Sequence, residues 1–113
     1  MKKVISAVIL LCTITLWYSC SKDTASNCTT TACATGKTTY TQAKAVIDAN
    51  CISCHNGTQS PNLNSYCNLK TNISKVLCTI NQSGCTLMPP SGALSASDIA
   101  IVQKWNTDGM CEN

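Results

Sequence analysis

The sequence predicts an all-α domain, and three observations carry that expectation. Apolar residues recur at intervals of three and four in three separate segments, no stretch alternates apolar and polar residues as a half-buried strand does, and Gly or Pro punctuates the gaps between the segments. At 113 residues the chain is long enough for one small domain and too short for two with separate cores.

Residues 1–19 read as a secretory signal. Met1, Lys2 and Lys3 form a basic start, and the apolar run over residues 4–17 is shorter than a comfortable bilayer span. The run ends in L-W-Y-S-C-S-K-D, which is similar to the lipobox of bacterial lipoproteins, with the small Ser19 ahead of Cys20. Cys20 is therefore the candidate lipidation site; the bulk of Trp17 and Tyr18 keeps a plain signal peptide or an uncleaved anchor as alternatives. Residues 20–38 are rich in Thr, Ser, Ala and Asn without apolar periodicity and read as a lipid-anchored tether, in which Cys28 and Cys33 can close a small loop. Residues 39–113 are then the folded domain.

The first helix is expected over residues 40–50, where Ala43, Val46 and Ile47 share a face, and it runs directly into C-I-S-C-H. A polar loop with Gly57 and Pro61 follows. Tyr66, Leu69, Ile73, Val76, Leu77 and Ile80 set a second helix over residues 65–80, with Gly84 in the turn after it. In T-L-M-P-P-S-G-A-L the pair Pro89 and Pro90 forbids a helix interior and restricts Met88 to extended backbone. Ser95 with Asp98 three residues on marks the start of a last helix, which buries Ile99, Val102 and Trp105 and stops at Gly109.

Charged residues make up only 12% of the chain, with no Arg and no Phe, and beyond the signal the lysines nearly balance the five acidic residues. A nucleic-acid partner is excluded on this ground, since phosphate binding needs a dense cationic face. Ten cysteines are the loudest feature. With Cys12 in the signal and Cys20 the lipid candidate, an even set remains, which in a small exported chain means a disulfide framework.

Within that set, Cys51 and Cys54 lie three apart, so that they share one face of a helical turn, and His55 follows at once. C-x-x-C-H at this spacing matches what a covalently held haem needs: two thiols to meet its two vinyl groups, and an imidazole that reaches the iron from the same side. The competing reading makes Cys51 and Cys54 disulfide partners and His55 a surface residue. Zinc is disfavoured, because His55 is the only His and no second C-x-x-C completes four ligands. A haem with one His needs a second ligand, and beyond the signal only Met88 and Met110 are left to offer one. The proline pair would hold the Met88 thioether in place, whereas Met110 lies near the chain end; a Met in such a loop is otherwise a gap-filler under a helix.

Taken together, T-Y-T-Q-A-K-A-V-I-D-A-N leading into C-I-S-C-H, then M-P-P, then L-S-A-S-D-I-A-I-V-Q-K-W-N-T-D-G, resemble a small bacterial c-type cytochrome domain over about residues 39–109. The resemblance implies a small helical fold around one covalent haem, with thioethers at Cys51 and Cys54, His55 as proximal ligand, Met88 as distal ligand, and the first and last helices crossing. It also implies that the proximal His donates its other ring N–H to a backbone carbonyl near Pro61. Ala43 stands where many members have Gly at the helix crossing, and the short His55-to-Met88 spacing implies a compact distal side. Trp105 and Tyr66 either meet the haem propionates or are core aromatics.

The other six cysteines, Cys28, Cys33, Cys67, Cys78, Cys85 and Cys111, leave 15 possible connectivities. Cys67 and Cys78 on one helix would lie about 16 Å apart, too far to bridge. The expected pairs are Cys28 with Cys33, Cys78 with Cys85, and Cys67 with Cys111. The function expected is a one-electron carrier of the cell envelope rather than an enzyme. It would be exported, held on the membrane through its lipid at the periplasmic side or cell surface, and work with redox partner proteins of the envelope. The rivals are a cofactor-free, disulfide-rich exported binding or structural protein, and a haem sensor or peroxidase-like domain with an open iron site.

Overall fold

The computed structural model describes residues 28–113, and within them the chain is helical, with no strand. The expected signal and the candidate lipid site Cys20 lie outside the described residues. Four helices follow in order: α1 over Tyr40–Asn50, the single turn α2 over Ile52–His55, α3 over Tyr66–Ile80 and α4 over Ala96–Thr107. None is long and apolar enough to cross a membrane.

Each long helix starts where a polar side chain meets its first turn. At α1, Gln42 Oε1 accepts from the Thr39 N–H at 2.9 Å. Ser65 Oγ accepts from the Asn68 N–H at α3, and Ser95 Oγ from the Asp98 N–H at α4; these bonds satisfy donors that a helix end leaves unpaired. α4 ends at Gly109, whose φ of 97° needs a residue without a Cβ. There the Gly109 N–H donates to Asn106 O and the Met110 N–H to Trp105 O, the paired bonds of a Schellman stop.

α1 packs on α4, and α3 closes the core against them. Ala43, Leu69, Val102 and Trp105 are fully buried. Tyr40, Tyr66 and Trp105 form an aromatic triangle with ring centroids 5.3 to 6.3 Å apart, the Tyr40–Tyr66 and Tyr66–Trp105 pairs meeting edge to face.

Three disulfides stitch the chain: Cys28–Cys67, Cys33–Cys111 and Cys78–Cys85. They fit an oxidising, exported setting. Cys78–Cys85 is the expected pair. The other two differ from expectation, because residues 28–33 do not loop back on themselves. Cys33 N–H donates to Asn113 O and Glu112 N–H to Thr31 O, so this segment lies along the C-terminal residues. Chain laid out in that way separates residues five apart by up to about 16 Å, beyond the roughly 7 Å a disulfide spans. For the same reason the stretch expected to be tether up to residue 38 is, from Cys28 onward, fastened to the domain.

Asp108 completes this seam. Its carboxylate accepts from the Thr38 N–H at 2.7 Å and pairs with Lys104 at 2.6 Å and Lys37 at 3.4 Å. The Lys104 contact first, and then the Thr38 N–H, hold its pKa well below the usual carboxylate range.

Candidate functional site

The helical path breaks for one residue at Cys51, whose φ of −123° ends α1, and restarts as α2, the turn I-S-C-H. The Cys54 and His55 N–H groups both donate to Cys51 O, at 3.2 and 2.9 Å, so the two cysteines and the histidine belong to one tight turn. Cys51 and Cys54 are the two free thiols among the described cysteines, and they are not joined to each other. Burial pushes the Cys51 thiol above its ordinary acidity range, so it stays protonated at neutral pH; Cys54 is exposed.

After His55 the chain folds back on the turn. Gln59 N–H donates to Cys54 O and Leu63 N–H to His55 O. That return brings the Pro61 carbonyl to 2.9 Å from His55 Nδ1. A carbonyl only accepts, so Nδ1–H is the donor, and in the neutral ring the lone pair lies on Nε2. The backbone contact that the resemblance implied at Pro61 is present.

Two cavities meet at this turn. One, of about 330 Å³, is lined by Cys51, Cys54 and His55 and by Met88, Pro89 and Pro90. The second, of about 270 Å³, shares Cys51, His55 and Met88 with the first. It runs on to Leu63, Val76 and Ile80, which belong to the hydrophobic core. The structure thus gathers Cys51, Cys54, His55 and Met88, from two chain segments, around one apolar space. Met110, the other candidate sulfur, lines neither cavity; its carbonyl accepts from the Tyr66 hydroxyl at 2.7 Å.

Trp105 and Tyr66 lie elsewhere. Trp105 Nε1 donates to Cys111 O at 2.9 Å, and both rings sit in the aromatic core, which leaves them no part in the site. Sequence reasoning missed Lys75 and Thr79, which line the second cavity; their spacing of four along α3 is the signal that places them on one face.

The donor set fits a covalently held haem: two unpaired thiols three apart, an imidazole held through one nitrogen, and a thioether lining the same cavities. Compared with protein-family models, with curated proteins and with solved structures, the chain finds no match.

Proposed function

We propose that this protein is a mono-haem c-type cytochrome that carries single electrons in the cell envelope, anchored there through a lipid on Cys20. The observation that carries the reading is the placement of His55 and Met88 on shared cavities beside two thiols that no disulfide consumes.

Cys51 and Cys54 would hold the haem by adding their S–H bonds across its vinyl groups, which keeps every atom of both partners. His55 Nε2 and Met88 Sδ would hold the iron, and the group would supply Fe(III)/Fe(II) exchange. The remaining work belongs to the chain. The Pro61 carbonyl fixes the orientation of the His55 ring. Pro89 and Pro90 restrain the loop that carries Met88, while Leu63, Val76 and Ile80 keep water from one side of the space. With both His55 and Met88 engaged, the site would be closed to exogenous ligands, which suits electron transfer rather than substrate chemistry.

The test is production of the protein with a cytochrome maturation system, followed by a pyridine haemochrome spectrum and intact mass. The expected product is heavier than the polypeptide by one whole haem, and Cys51→Ala with Cys54→Ala abolishes the increment. A colourless protein with Cys51 bonded to Cys54 overturns the proposal in favour of a cofactor-free exported domain.

A further inference from the structure

Haem carries two carboxylates as well as an iron, and the chain, which has no Arg, must meet them with something else. Trp105 and Tyr66 are committed to backbone carbonyls at the other side of the core. Of the residues that line the two cavities, the ionisable ones are Cys51, Cys54, His55 and Lys75; Cys85 is closed in a disulfide, and the Met88–Ser91 loop offers no charge. Lys75 is therefore the one cation at the site that the iron would not use.

Its neighbours sharpen the point. Lys37 and Lys104 pair with Asp108, Lys44 pairs with Asp48, and Lys70 donates to Thr29 O and the Tyr66 hydroxyl. Lys75 alone among the described lysines has no such partner. It stands on α3 one turn before Thr79, and both line the second cavity together with Ser60.

Porphyrin chemistry then fixes which edge of the cofactor lies there. In haem the two vinyl groups occupy one edge and the two propionates the opposite one. Cys51 and Cys54 both line the first cavity, and Cys54 is missing from the second. Cys51 borders both cavities, so with the vinyl edge at the two cysteines the carboxylate edge would lie toward the cavity that Cys54 does not line, the one that contains Lys75.

Resting on the haem reading above, we propose that the Lys75 ammonium, with the Thr79 and Ser60 hydroxyls, is the propionate-binding end of the site. Lys75 is a positioning residue that fixes the cofactor's orientation and offsets its negative charge. An ammonium beside a carboxylate favours the ionised form, so it keeps the propionate charged to lower pH.

The experiment is spectroelectrochemistry of the holoprotein across pH, with haem content checked by intact mass. Lys75 is exposed on its helix, so its replacement leaves the core intact. Lys75→Gln is expected to carry one haem and to shift the pH at which the midpoint potential breaks upward by about one unit or more. Lys75→Arg and the distant Lys44→Gln keep the wild-type break, and Lys75→Met, which preserves the aliphatic stem, repeats the Gln result. A Lys75→Gln or Lys75→Met protein that titrates like wild type overturns the assignment while leaving the haem reading in place. Wild-type protein that acquires no haem overturns the reading beneath it, and this proposal with it.

Discussion

At the N-terminal end of α3, Tyr66 bonds to the Met110 carbonyl, Cys67 is joined to Cys28, and Lys70 reaches Thr29 while stacking over the Tyr66 ring. At the other end of the same helix, Val76, Thr79, Ile80 and the disulfide-bonded Cys85 line the second cavity, and the Lys75 ammonium meets no hydrogen-bond or ion-pair partner among the described residues. One end is tied to the chain termini, and the other, with its local Cys78–Cys85 bridge, borders the cavity. The difference divides one helix: long-range cross-links and aromatics around the chain termini fasten its start, while its end, held by the local Cys78–Cys85 bridge, borders the candidate site near C-I-S-C-H and M-P-P. Charge follows the same division. From residue 76 to residue 97 there is no charged side chain, whereas Asp108 draws two lysines and a backbone N–H to the terminal seam.

If the two ends are independent in this way, breaking the seam should cost stability and leave the site alone. The largest effect is expected from Cys33→Ser with Cys111→Ser. That disulfide spans 78 residues, and opening a loop of that size costs about 4.5 kcal/mol on the chain-entropy estimate. Denaturant unfolding should register a loss of that order, while the absorption spectrum of the protein that still folds stays unchanged. A spectrum altered together with stability would show that the two ends are coupled.

The second effect runs the other way. Met88→Ala removes the thioether from both cavities and leaves Cys51, Cys54 and His55 in place. Haem should remain attached, the weak sulfur-to-iron absorption band should vanish, the reduction potential should fall, and carbon monoxide binding by the reduced form should go from negligible to stoichiometric. Helix content should not move. If reduced wild type already takes carbon monoxide as readily as the variant, Met88 is not a firm ligand, and the sensor or peroxidase reading replaces the electron carrier.

The same division explains what was legible in the sequence. α1 and α3 fall where apolar spacing places them, and the cap at Ser95 and the stop at Gly109 mark α4, because these signals are local: a side chain one turn away, or a φ only Gly accepts. The turn at Cys51–His55 and its return to Pro61 are local too, which is why that half of the site was readable. Disulfide partners are not local. Cys28 finds Cys67 and Cys33 finds Cys111 only because residues 28–33 lie along the C-terminus, and nothing in a Thr- and Ser-rich composition says so. Lys75 was equally hidden, since its role depends on which cavity α3 turns it toward, and Trp105 was ambiguous until the Cys111 carbonyl claimed its indole N–H.

The smallest effect belongs to Asp108, and it tests whether the seam draws on charge as well as on disulfides. Its carboxylate is held ionised by Lys104, the Thr38 N–H and Lys37, so its pKa in the folded chain lies below the ordinary value of about 3.9. A carboxyl group whose folded pKa is depressed stabilises the fold above the unfolded value and loses that contribution as pH falls toward the folded one. Wild-type stability should therefore be flat in this respect near neutrality and decline on acidification from about pH 4 downward. Asp108→Asn keeps the shape and one acceptor oxygen for the Thr38 N–H but cannot titrate. Its melting temperature should lie below that of wild type at pH 7, and the gap should close as the pH drops into the acid range. A gap of constant size at every pH would mean that Asp108 acts through its hydrogen-bond geometry alone, and that the seam owes its strength to the disulfides and the aromatic triangle rather than to charge.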